Sequence, residues 1–232
     1  MTDYTRKGRR REMKNLETMP KKLETVPLLI IIVMAGLSFT NLVGLRIAGA
    51  AVVLGVAFFF IAKAYEKQSS TDSGLDIQTI KDSFKERRIW LWIALPLIMD
   101  AVSITASKLF LPEYIEHVLA RTEIFVSFDK VAVMVFQLAF LALGEEIAWR
   151  AFFQNRLSKA LPIVPALVIS SALFAIGHVS PGSTNIVLYD ISFVFINSIL
   201  YGVIFYKTNN AWVSALSHFI ANLFGIIVLV LL

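Results

Sequence analysis

The strongest constraint on this chain is a series of long apolar runs that carry almost no charge. A helix needs about 20 consecutive apolar residues to cross a hydrocarbon layer roughly 30 Å thick. Inside that layer every backbone N–H and C=O must be satisfied within the segment, so such runs read as helices. The runs at 26–45, 47–65, 89–111, 131–157, 163–178, 186–206 and from 211 onward predict an all-α, polytopic transmembrane helical bundle of about seven spans. The composition agrees. The chain is 57% hydrophobic and only 17% charged, whereas a soluble domain carries about a quarter charged residues.

The charges that remain are clustered beside the apolar runs. A net charge of +5 in that arrangement points to a bilayer partner and not to nucleic acid. The absence of cysteine excludes disulfides, thiolate ligands and a cysteine nucleophile. The first residues are polar and basic (Arg6, Lys7, Arg9, Arg10, Arg11, Lys14, Lys21, Lys22). A lead of that length before a long apolar run reads as a retained cytoplasmic segment, not a cleaved signal.

Three regions follow: a basic cytoplasmic segment at 1–25, three spans at 26–111 with a cytoplasmic loop at 66–88, and a last region at 112–232 that holds the remaining four spans. Within the loop, Ile77, Ile80 and Phe84 recur at helical spacing behind a cap at Asp76, which predicts a short interfacial amphipathic helix. The segment 112–130 is mixed, and its His117 reads as solvated surface. Basic residues flanking the spans (Lys67, Lys81, Lys85, Arg87, Arg88, Arg156, Lys159, Lys207) place the N-terminus in the cytoplasm of a multi-pass cell-membrane protein. No internal repeat is visible, and the sequence sets no oligomeric state.

Ionisable side chains inside a span cost roughly 2.5–3.5 kcal/mol each near the centre, so they need partners and are functional candidates by default. The densest set is Gly144-Glu145-Glu146-Ile147-Ala148-Trp149-Arg150. Arg150 lies four residues after Glu146, so the two share a helix face and pair. Glu145 points about 100° away and lacks that partner. On this reading Glu146–Arg150 is structural and Glu145 is free to act as a base. Phe174 and His178 are also four apart, which lets the ring hold the imidazole. His218 and Asn222 again put two polar groups on one face. Asp100 and Asp190, in the third and sixth spans, read as structural or pore-facing. Counted from the turns near Leu161 and Asn209, Glu145 and His178 lie roughly 25 Å along their helices, and His218 and Asn222 roughly 14 and 20 Å. The expectation is that all four meet inside the membrane.

Taken in order, Glu145-Glu146-x-x-x-Arg150, Phe174-x-x-x-His178 and His218-x-x-x-Asn222 resemble the CAAX-protease and bacteriocin-processing (CPBP, or Abi) intramembrane proteases, whose eukaryotic branch includes the CAAX prenyl protease Rce1. The resemblance covers roughly the last 110 residues; the first three spans match only in general character. Ala151 stands where many members carry glycine. The resemblance implies peptide-bond hydrolysis by a glutamate-activated water. Glu145 would be the general base and His178 would bind or orient the water. His218 and Asn222 would stabilise the oxyanion, while Glu146 and Arg150 hold the geometry. Trp149 and Phe174 are supporting residues.

No cofactor is implied with certainty. Glu145, His178 and His218 also match the ligand set of a catalytic zinc. The partners are a peptide or membrane-protein substrate and the lipid bilayer. A leader, pheromone or bacteriocin-type peptide fits the basic N-terminus and short length better than a prenylated tail. The His-Glu-x-x-His of zinc site-2 enzymes, the Gly-x-Gly-Asp of aspartyl types and the Gly-x-Ser-Gly of rhomboids are all absent. Three other readings compete. Polar residues can simply join helices. A transporter would show broken helices and internal symmetry. A non-proteolytic scaffold, acting on a sensor or in bacteriocin immunity, would show motif loss.

Overall fold

The computed structural model describes residues 25–69 and 73–231; all but Thr25 of the basic N-terminal segment lies outside them. The described residues form a helical membrane bundle. Helix α1 (Thr25–Ser38) runs on through a tighter 3-10 stretch, Phe39–Val43. It ends at Gly44, whose φ of 80° is one that glycine tolerates best. Then follow α2 (Ala50–Tyr65), α3 (Ile80–Lys85), α4 (Arg87–Phe110), α5 (Glu113–Thr122), α6 (Val131–Ala160), α7 (Ile163–Ile176), α8 (Thr184–Thr208) and α9 (Ala211–Leu231).

The seven predicted spans appear as five helices long and apolar enough to cross a membrane (α1 with its 3-10 turn, α4, α6, α8 and α9) and two shorter apolar ones, α2 and α7. At 1.5 Å per residue the 16 residues of α2 reach only about 24 Å. Helix α2 begins, and α7 stops, at the same end of the bundle. There Asn41 Nδ2 donates to the carbonyls of Gly177 (2.7 Å) and Val179 (3.1 Å). At the opposite end Arg156 pairs with Glu66 at 2.5 Å, Asn210 Nδ2 donates to Asp76 O at 2.6 Å and Lys207 lies over Trp92. The alternation of ends therefore follows the predicted order of spans.

The core lies where α2, α6 and α7 meet, with Met34, Ala51, Ala148, Phe152, Phe153 and Phe174 buried together. Gly55 makes this packing possible. A Cβ placed there would lie 2.6 Å from Ala148 Cβ and 2.9 Å from its Cα, so α2 approaches α6 backbone to backbone. Large apolar side chains on the outer faces, such as Phe136 and Val164, remain exposed, as a lipid-facing surface requires.

Three local expectations need correction. The segment 112–130 holds helix α5, whose Tyr114 and Val118 are buried. The interfacial helix is only six residues long, α3, and Ile77 lies outside it and exposed. Asp76 does not cap it: its carboxylate accepts the N–H of Gln78 at 2.9 Å, a local turn that delays the helix start.

Candidate active site

Helix α6 carries the Glu-Glu-Arg motif, and it changes its winding there. Residues Val131–Glu146 are α-helical, Ile147–Gln154 form a π-helix, and Asn155–Ala160 return to α. All eight π residues are buried. A wider turn points consecutive side chains in directions that an α-helix does not offer, and such insertions concentrate at functional sites. The α-helical periodicity used on the sequence does not anticipate it.

Glu146 and Arg150 are both fully buried, and Arg150 Nε approaches Glu146 Oε2 at 3.3 Å. The contact is an ion pair and not an aligned hydrogen bond, since neither atom has a hydrogen-bond partner. Arg150 Nη2 also donates to Ser198 Oγ at 3.2 Å, and its guanidinium sits 5.0 Å over the ring of Phe174. Oε1 of Glu146 faces His218 Nδ1 at 3.1 Å. Two buried charges are tolerated only with such partners.

Glu145 sits on the other side of the helix, half-buried. Its carboxylate lies 3.9 Å from His178 Nε2 and 3.6 Å from His218 Nε2. The far nitrogens of both rings are engaged: His178 Nδ1 donates to the carbonyl of Phe174 at 2.8 Å, and His218 Nδ1 donates to Glu146. Those partners are acceptors only, so they fix the protons on Nδ1 and turn both Nε2 atoms to Glu145. Phe174 lies against both imidazoles and the Arg150 guanidinium. It packs against His178 (centroids 4.3 Å apart), and edge-on against His218 and Trp149.

Glu145 and His178 line two chambers that meet at them. The outer one, about 410 Å³, opens beside Arg46, Asn41 and the turn around His178. The inner one, about 500 Å³, runs between α2, α4, α6 and α9 and is lined by His218, Asn222, Asp100 and Tyr201. Val53 on α2 and Phe140 on α6 lie at its rim and are exposed. Thus the structure brings Glu145, His178, His218 and Asn222 to one connected space, while Glu146 and Arg150 stand behind it.

Residues that sequence reasoning missed complete the picture. Tyr201 stacks on His218 with centroids 4.3 Å and planes 18° apart. Ser198 receives Arg150, and Asn41 holds both carbonyls flanking His178. None carries a charge, so none stands out in an apolar sequence. His117 was misread: it is almost fully buried, not solvated, because α5 folds it against the bundle. It lies 3.4 Å from Asp190 Oδ2 and 3.1 Å from Ser180 Oγ. Asp190 is ion-paired with Arg121 at 2.5 Å, and Asp100 Oδ1 accepts from Asn197 at 2.6 Å.

The zinc reading needs three ligands around one point. Among the described residues no group of three His, Asp or Glu is placed to hold a metal ion.

Comparison with known proteins places this geometry in context. Residues 127–224, from before α6 into α9, match the family model described as Type II CAAX prenyl endopeptidase Rce1-like. The matched segment contains every residue of the three motifs. No curated protein and no solved structure matches the chain.

Proposed function

We propose that this chain, which carries an Rce1-like domain of the CPBP family at residues 127–224, is an intramembrane endopeptidase that hydrolyses a peptide bond with a water activated by Glu145. The observation that carries this reading is the convergence of Glu145, His178 and His218 within 3.9 Å at the junction of two chambers.

A water at that junction donates one hydrogen to the Glu145 carboxylate and the other to His178 Nε2, which leaves its lone pair aimed at the substrate carbonyl. Glu145 takes the proton as the oxygen attacks, and the carbonyl oxygen gains the negative charge. In its form protonated at both nitrogens, His218 donates Nδ1–H to Glu146 and Nε2–H toward that oxyanion, with the Asn222 amide as a second donor. Fixed donors of this kind contribute about 10²–10³ in rate each. Glu145 then returns the proton to the departing amine. Glu146 and Arg150 act by holding His218 and the π turn in place. The catalytic unit on this reading spans 112–232, and the first three spans wall the substrate chambers.

A glutamate base explains why one carboxylate of the pair has no arginine partner while its neighbour is held by Arg150. A scaffold or helix-joining role gives no reason for that difference. The N-terminus is proposed to face the cytoplasm, from the basic residues at the α3 end of the bundle. The substrate is proposed to be a membrane-associated peptide of the leader or bacteriocin type. Comparing membrane peptides from cells with wild-type protein and with Glu145→Gln tests this. New cleavage products only with the wild type are expected; identical peptide profiles would overturn the reading.

A further inference from the structure

Two charged side chains in the chambers play no part in the mechanism above. Arg46 lies at the mouth of the outer chamber, is exposed, and has no ion pair among the described residues. Asp100 lies on the wall of the inner chamber. Its Oδ1 accepts from Asn197, and its Oδ2 lies 4.0 Å from where a Cβ on Gly225 would stand. Asp100 and Gly225 both line that chamber. Asp100 also has no ion pair among the described residues. The other charges in the chamber walls are accounted for: Arg121 borders both chambers and is neutralised by Asp190, and Glu145 belongs to the junction itself.

An unpaired carboxylate midway along a membrane helix is costly, and the exposed guanidinium at the chamber mouth is open to an anionic group. Arg46 lines only the outer chamber and Asp100 only the inner one, while Glu145 and His178 line both. From this juxtaposition we infer that the site reads substrate charge in both directions: Asp100 receives a cationic side chain on one side of the cleaved bond, and Arg46 receives a carboxylate on the other. The inference rests on the protease reading above and names the class of peptide it takes. A peptide lying across the junction in this direction buries both charges against a partner, and the reversed peptide places like charges together.

The carboxylate could be an Asp or Glu side chain or a free C-terminus. Purified full-length enzyme in liposomes, offered a mixed synthetic peptide library, separates these sources, with cleavage sites read by mass spectrometry. Each peptide is supplied with a free and an amidated C-terminus. Wild-type cleavage sites should be enriched in Lys or Arg on one side and in a carboxylate on the other. Loss of the second enrichment on amidation would assign it to the C-terminus, and its persistence would assign it to side chains.

Asp100→Asn should lower the basic-over-neutral cleavage ratio about tenfold, and Arg46→Gln the carboxylate-over-neutral ratio similarly, the scale of one desolvated charge pair. Ratios measured within one variant are independent of how much folded enzyme it yields. Should Asp100→Asn cleave nothing, Arg46→Gln at the exposed mouth carries the test. Cleavage without charge enrichment, or enrichment that both variants retain, overturns the inference while leaving the protease reading intact. No Glu145-dependent cleavage of any peptide would overturn both.

Discussion

The imidazole of His218 lies flat against the ring of Tyr201, with centroids 4.3 Å apart and planes only 18° apart. The stack, together with the Nδ1 contact to Glu146, leaves the imidazole one orientation. Tyr201→Phe keeps the face and should keep most of the activity. Tyr201→Ala removes a pair worth about 0.5–1.5 kcal/mol, so kcat should fall by up to about tenfold with little change in KM. Equal losses in both variants would show that the hydroxyl, not the stack, matters.

Asn41 makes the corresponding contact for His178. Its amide spans the carbonyls of Gly177 and Val179, so Asn41→Ala leaves two acceptors to find other partners at about 1 kcal/mol each. A moderate drop in cleavage rate with a small fall in Tm is expected. Unchanged kinetics would mean that the turn holds without the clamp.

The close approach of α2 to the π turn gives a stability prediction independent of catalysis. Gly55→Ala forces a methyl into Ala148 and should cost about 1–3 kcal/mol. Gly36→Ala on α1 meets nothing within 4 Å and should be neutral or slightly stabilising, since alanine favours helix. Thermal melting of the two variants in detergent checks the difference. A Gly55→Ala protein as stable as Gly36→Ala would contradict the packing.

Much of this arrangement was legible in the sequence because charge inside an apolar run is so improbable. The order of spans and the meeting of Glu145, His178, His218 and Asn222 follow from helix rise and turn positions alone. The Glu146–Arg150 pairing follows from a spacing of four, which survives because the pair closes where the π turn begins. What stayed hidden had no such signal. The π winding comes from tertiary packing of eight buried residues. Tyr201, Ser198 and Asn41 act through ordinary ring and amide contacts. His117 and α5 were misread because a polar, acidic segment looks like surface loop until its one apolar stripe, Tyr114 and Val118, finds α4 and α9.

The metal question has a direct check. With Glu145 as base, cleavage should survive exhaustive chelation verified by metal analysis. Loss of activity restored by a single divalent ion would assign Glu145, His178 and His218 to a metal instead.

The central claim is the division of labour between two adjacent glutamates. Paired measurement of cleavage and thermal unfolding on Glu145→Gln and Glu146→Gln tests it most directly. Glu145→Gln should lose about 10²–10⁴ in rate with its melting temperature unchanged. Glu146→Gln leaves Arg150 buried without a counter-charge, which costs about 3–5 kcal/mol, and should unfold at distinctly lower temperature. A Glu145→Gln enzyme that still cleaves, or a Glu146→Gln protein that melts like the wild type, would contradict the account.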